Sequence, residues 1–138
     1  MKKSISIVPA ILAFFVLSAF TPVTDGFYSI DKTQSTIKWT GSKFTGKSHY
    51  GTVSLLEGGL QIAGGKITGG KFTIDMTSIV NEDITDEGMN QKLVGHLKSD
   101  DFFAVDKFKT ASLAITKVDA NGTITADLTI KGATHPVT

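Results

Sequence analysis

Apolar and polar residues alternate along most of the chain after residue 26, which is typical of β-strands with one buried face. The clearest stretch is 66–79, where Phe72, Ile74 and Met76 share one side. Alternation predicts the other strands at 27–31, 35–41, 49–55, 60–62, 109–116 and 123–131. Because the connections are short, neighbouring strands should be antiparallel, and their common apolar face should curl around one interior.

Glycine pairs interrupt this alternation at two places and suggest how the sheet is shaped. Gly58-Gly59 after Glu57 predicts a break between two strands. Gly69-Gly70 shifts the apolar positions by one and predicts a β-bulge.

The period changes from two to four near residue 89, which predicts the one helix of the chain. Its apolar face recurs at Met89, Leu93 and Leu97. Asp86 and Glu87 precede this face, where negative charge suits a helix N-terminus. We expect Ser99 to cap a further turn that carries Phe102 and Phe103, and the helix to plug or cover the sheet.

The N-terminal 22 residues have the pattern of a secretory signal peptide. A basic start is followed by an apolar run over 5–20 and a polar break at 21–26. That run is shorter than the roughly 20 residues of a spanning helix, although an uncleaved anchor is the alternative. We therefore predict a signal peptide at 1–22, a domain at 27–138, and a periplasmic or secreted protein.

Composition excludes several classes of site. The chain has no cysteine, so it forms no disulfide and holds no thiolate-bound metal. All 14 basic residues are lysines and the formal net charge is +1, which gives no basic cluster for nucleic acid. Three widely spaced histidines give no metal signature, and no phosphate-binding glycine motif is present.

The inward positions are aliphatic or aromatic, interspersed with small residues such as Gly51, Ala111 and Ala126. They fit either a solid β core or a space that takes a hydrocarbon chain, since each buried methylene contributes about 0.8 kcal/mol. His96 lies near Asp100 and Asp101 in sequence and is either a general base oriented by a carboxylate or a structural histidine.

Several segments, taken in order, resemble the YceI family of lipocalin-like bacterial proteins. The matching segments are 28–31, 35–39, 46, 49–51, 69–79, 92–93, 96–103 and 130–137. The two most specific are the strand that begins Gly69-Gly70-Lys71-Phe72 and the helix that continues as His96-Leu97-Lys98-Ser99.

The resemblance implies a mainly β fold, an antiparallel lipocalin-like barrel of eight strands with one short helix capping an end. It also implies export to the periplasm and a polyisoprenoid or other long-chain amphiphile, such as a quinone-like lipid, held in a hollow interior. It implies no catalytic residues and no other cofactor, so we predict a carrier rather than an enzyme. The ligand contacts are then predicted at inward positions and at the helical lid, namely Trp39, Val53, Phe72, Ile74, Met76, Leu97, Phe102, Phe103, Leu113 and Ile115.

One departure from the family is that its members continue with further strands beyond Pro136-Val137. We therefore expect a barrel that is incomplete at its C-terminus, or one that a partner closes. As alternatives, we keep a hydrolase-like enzyme that uses His96 with Asp100 or Asp101, and a structural envelope-stress module. We further hypothesise a homodimer and transient contact with a membrane, and no nucleic-acid partner.

Overall fold

The computed structural model describes residues 23–43 and 46–138. The predicted signal peptide at 1–22 lies outside these residues. The elements in chain order are β1 (Gly26–Ser29), β2 (Ile37–Ser42), β3 (Ser48–Ala63), β4 (Lys66–Asn81), α1 (Glu87–Lys98), β5 (Thr110–Val118), β6 (Ile124–Ile130) and β7 (Ala133–Val137). The prediction of a mainly β, antiparallel fold with one helix is confirmed.

The strands form one antiparallel sheet in which β3 and β4 are the long central hairpin. β1 and β2 lie end to end along one edge of β3, while β5, β6 and β7 follow in order from β4. Within the described residues, β7 pairs with neither β1 nor β2, so the sheet is an open barrel of seven strands rather than a closed one of eight.

The predicted strand break at Gly58-Gly59 is wrong, because β3 runs through both glycines. A Cβ on Gly58 would lie 2.7 Å from the carbonyl oxygen of Lys71, and one on Gly59 would lie 2.3 Å from that of Tyr28. These glycines therefore allow β4 and β1 to approach β3 closely from either side, which strengthens the sheet instead of ending the strand.

Two irregularities in β4 keep its apolar residues on one face of the sheet. Near Gly69 the register moves from Gln61–Gly69 to Ile62–Ile67, which leaves Thr68 as the extra residue and confirms the predicted bulge. A second shift lies after Asp75, and beyond it Ile79 joins the buried side. The sheet thus stays amphipathic although strict alternation fails.

Helix α1 begins after Asp86, whose side chain accepts a hydrogen bond from the Met89 amide at 2.8 Å. Leu97 is buried to 6% exposure on the sheet, but Met89, predicted on the same face, is 61% exposed. The helix therefore packs through its C-terminal half. Ser99 ends α1, since its hydroxyl donates to the His96 carbonyl at 2.7 Å. The predicted further turn with Phe102 and Phe103 does follow, but the Ser99 backbone carbonyl rather than its side chain begins it, by accepting from the Phe102 amide at 3.1 Å.

The buried core is small and lies beneath α1 and the turn that follows it. Two clusters make it up, one around Val53, Ile79 and Leu97 and the other around Met76, Val105 and Ala111. No large side chain among the described residues is completely buried. None of the described helices has both the length and the apolar character needed to cross a membrane.

Candidate functional site

An apolar stripe runs across β4, β5 and β6 beyond the core. The register places Phe72, Leu113 and Leu128 side by side, and all three are half-buried. In the neighbouring row, Ile115 lies opposite the buried Ala126. The large side chains of this stripe therefore surround small ones, and part of their apolar surface remains exposed to solvent.

The end of this face near α1 is closed by Trp39. Its indole nitrogen donates to the Val80 carbonyl at 2.9 Å, and its ring packs on the cluster of Val53, Ile79 and Leu97. Gly51 lies opposite Trp39 in the β2–β3 register, so the indole crosses the sheet over a residue without a side chain. The helix and this tryptophan together seal one end of the sheet.

A polar network joins β3 to the loop between β4 and α1. His49 Nδ1 lies 2.8 Å from Asp83 Oδ2, and Asp83 Oδ1 accepts from the Tyr50 amide at 2.9 Å and from Asn81 Nδ2 at 2.6 Å. The Tyr50 amide, and then His49, lower the pKa of Asp83 to about 2. The Asn81 side chain in turn accepts from the Ile84 amide at 3.0 Å, which fixes the loop before α1.

An open groove of about 570 Å³ lies beside this network, between the loop and α1. Its lining residues are Lys43, His49, Asp83, Ile84, Thr85, Asp86, Met89, Lys92, Leu93 and His96. The groove therefore combines basic, acidic and apolar groups. No group of three or more His, Cys, Asp or Glu within the described part of the chain is placed to hold a metal ion.

In a comparison against protein families, the model of the YceI-like domain matches residues 28–138. This match agrees with the fold described above. The chain belongs to the YceI-like domain family. A comparison with curated proteins gives no match. The family resemblance predicted from sequence is thus confirmed, and it covers every described strand except the first residues of β1.

The YceI-like fold divides the predicted contact residues into two groups. Those that gather around the small core at the α1 end are Trp39, Val53, Ile74, Met76, Leu97 and Phe103. Those on the half-open stripe are Phe72, Leu113 and Ile115. Phe102 stands apart with 46% exposure, its ring centroid 4.7 Å from that of Phe103.

The pair on which the enzyme hypothesis depended is not formed. Asp100 Oδ2 lies 2.6 Å from Lys107 Nζ, and the His96 ring packs near Phe102 at a centroid distance of 6.1 Å. No hydrogen bond in the described part of the chain links His96 to Asp100 or Asp101. A carboxylate instead orients His49, a residue that the sequence argument assigned only to a strand.

The contribution of the His49–Asp83 contact to stability can be tested by measuring how the stability of the protein depends on pH. The folded-state pKa of Asp83 is about 2, against an ordinary value of 3.8. The ionised Asp83 carboxylate therefore contributes to the stability of the fold at pH values above the ordinary pKa. That contribution is lost as the pH falls through the folded-state value. We expect the wild-type protein to lose more stability between about pH 4 and pH 2 than Asp83→Asn does, as measured by urea unfolding at several pH values.

The matched control is Asp101→Asn, which removes an exposed carboxylate outside the network. It should leave the acid dependence of the wild-type protein unchanged. If Asp83→Asn and the wild type lost stability in parallel over this pH range, the network would not hold the loop.

Proposed function

We propose that this YceI-like protein binds a polyisoprenoid or other long-chain amphiphile, with the hydrocarbon chain on the apolar stripe of the sheet. The family is one of binding proteins, generally for polyisoprenoids. The observation that carries the proposal is the row of Phe72, Leu113 and Leu128, three large apolar side chains that remain half-open beside a small core.

The physical basis is burial of apolar surface. A prenyl chain laid along the stripe would cover side chains that no other described element covers, and each methylene would contribute about 0.8 kcal/mol. Loss of chain and side-chain freedom offsets part of this gain, so affinity should grow with the length of the hydrocarbon. Ala111 and Ala126 lie on the same face but are buried to 3% exposure, so the apolar surface open to the ligand is that of the larger side chains.

The proposed place of action is the periplasm or the medium outside the cell. Its support is the N-terminal sequence, where a basic start, an apolar run and a polar break precede the domain. A carrier in that position would shield an insoluble chain from water between membranes.

The direct experiment is organic extraction of the purified protein followed by mass spectrometry, and we expect a long-chain lipid in the extract. Leu113→Asp should then weaken the binding of an added polyprenol by at least about tenfold, because it removes an apolar contact and places a charge on the stripe. Tryptophan fluorescence titration, which reports on the single Trp39, measures the affinity.

Ser112→Asp is the matched control, since Ser112 precedes Leu113 in β5 and faces the opposite side beside Thr73. It introduces the same charge and should bind polyprenol as the wild type does. Extracts free of lipid together with no polyprenol binding, or equal affinities of the two variants, would refute the proposal.

A further inference from the structure

The apolar stripe across β4, β5 and β6 is covered at one end and open at the other. Toward α1, the row of residues next to Leu113 contains Ala111, which is 3% exposed. Toward the hairpin turns, the stripe ends at Val118 and Ile124, which lie opposite each other and are half-buried. A hydrocarbon chain on the stripe therefore has an open end to enter by and a covered end to stop at.

A cleft of about 650 Å³ lies at the open end, between the β3–β4 turn and the β5–β6 turn. Ile67, Val118 and Ile124 line it and continue the stripe, while polar residues of the two turns line the rest. The described pairing of β4 with β5 covers Lys71–Asp75 on β4, so the two strands separate toward their turns. The cleft between them gives a hydrocarbon chain direct access to the stripe.

Phe103 lies at the covered end, where the stripe meets the core. It packs against both core clusters, as Ile74 does, and Ala111 belongs to the second of them. Ile74 and Ala111 form the row next to the pair of Phe72 and Leu113. The Phe103 ring, which is itself half-buried, therefore lies one row beyond the half-open part of the stripe.

Backbone hydrogen bonds hold Phe103 in this position. Its amide donates to the Leu97 carbonyl at 3.0 Å, and the Val105 amide donates to the Lys98 carbonyl at 2.9 Å. Between these two bonds the chain reverses at Ala104, which has a φ of 48° and is 2% exposed. The backbone at Phe103 can therefore move away from the stripe only if the turn after α1 opens.

We propose that Phe103 is the floor of the lipid site and sets the longest hydrocarbon chain that the site accommodates. This inference rests on the proposed function. The chain enters through the cleft, lies along the stripe and ends against the Phe103 ring. From Ala111 to Val118, β5 extends over roughly 20 Å at about 3.3 Å per residue, which is the length available to the chain.

The floor acts through the burial of apolar surface. Each prenyl unit that lies between the cleft and Phe103 leaves water and tightens binding, whereas a unit in excess of this length stays outside the cleft and adds little. Replacing the Phe103 ring by a methyl group opens apolar space beside Ile74 and Ala111, of the kind that stays free of water and accepts apolar ligands. That space is about one row of the sheet deep, or about 7 Å, which is enough for one further prenyl unit.

The test measures the affinity of the full chain for prenols of increasing length, from geraniol through farnesol and geranylgeraniol to longer members, by titration of Trp39 fluorescence. For the wild-type protein, we expect each added prenyl unit to tighten binding by about tenfold or more up to a limiting length, because ordering offsets only part of the burial gain. A unit beyond that length should change the affinity by less than about twofold. In Phe103→Ala, the first prenol above the wild-type limit should bind at least about tenfold more tightly than the prenol one unit shorter.

Phe102→Ala is the matched control, because it removes the same side chain one residue earlier. Phe102 is 46% exposed, whereas Phe103 is half-buried, so this variant should keep the wild-type limit. Phe103→Leu is a milder second variant that keeps the covered end apolar if Phe103→Ala fails to fold. It should move the limit in the same direction, with a gain of at least about threefold for the first prenol above it. A role of Phe103 in stability alone would lower resistance to urea and leave the limit where it is.

The floor and the proposed function fail in different ways. If the wild-type protein binds prenols but the two Phe103 variants keep its limit, or Phe102→Ala moves the limit equally, Phe103 is not the floor and lipid binding stands. Wild-type affinity that rises with length without a limit has the same meaning. If the wild-type protein binds no prenol of any length, the proposed function is wrong, and the floor is wrong with it.

Discussion

Gly51→Ala is expected to destabilise the protein by at least about 3 kcal/mol, which is a large share of the total stability of a small domain. An added Cβ would lie 1.9 Å from the Val80 carbonyl oxygen and 2.9 Å from Trp39 Nε1. The obstacle is backbone rather than a flexible side chain, so β3 and β4 would have to separate. The hydrogen bond from Trp39 to Val80 would also be lost, at about 1 kcal/mol.

Urea unfolding followed by Trp39 fluorescence measures this effect, with Gly41→Ala as the matched control. Gly41 lies in β2, two residues from Trp39, and among the residues that the structure describes a Cβ there would meet only Trp39 at 3.9 Å, an ordinary contact. Gly41→Ala should be neutral or slightly stabilising, because alanine restricts the unfolded chain. A Gly51→Ala protein as stable as Gly41→Ala would show that the central hairpin does not pack as closely as described.

Ile79→Ala is expected to cost about 2–5 kcal/mol, the range for truncating a buried isoleucine. Ile79 is 2% exposed and joins Val53 and Leu97 in the cluster that holds α1 on the sheet. Because the whole core is small, a cavity here has few neighbours that could move in to fill it. The loss should appear in chemical unfolding and in weaker protection of α1 amides from hydrogen exchange.

Val80→Ala is the control for Ile79→Ala, since the adjacent side chain is 46% exposed and points away from the cluster. Its backbone carbonyl, which accepts from Trp39, is unchanged by the substitution. We expect a change of less than about 0.5 kcal/mol for this surface position. Equal losses for the two variants would mean that α1 is not held through Ile79.

We assign different roles to the sealed end and to the open stripe of the sheet. Leu97 and Ile79 are buried against one another and provide folding stability, whereas Leu113 and Phe72 are half-open and are assigned to the ligand. Substitutions at the first pair should therefore act on unfolding, and substitutions at the second pair on binding. This division follows from the position of α1, which covers only one end of the sheet.

Much of the fold could be predicted because β-strands alternate in sequence as they do in space. The face of Phe72, Ile74 and Met76 and the start of α1 near Asp86 each depend on local chemistry. The continuation of β3 through Gly58-Gly59 could not be predicted in this way. Glycine pairs end strands or permit close approach, and only the neighbouring strands decide which.

At the candidate site it is clearer still that local sequence patterns cannot predict contacts between distant residues. His49 and Asp83 are separated by 34 residues, so no local motif connects them. The two strands of the β3–β4 hairpin have nearly equal lengths, so residues near 49 lie opposite residues near 82. This equality of length is the signal that could have indicated the contact between His49 and Asp83. The predicted break in β3 conceals this pairing, so the sequence pattern points to His96 instead.

The sequence by itself determined the antiparallel β class, the amphipathic face, helix α1 and membership of the YceI-like family, because these depend on short-range periodicity and on contiguous motifs. Only the tertiary structure decided which apolar residues are buried and which stay half-open, and which basic and acidic groups meet at the groove. Burial and charge pairing depend on the register between distant strands and on where α1 settles, and both are set by packing across the whole sheet.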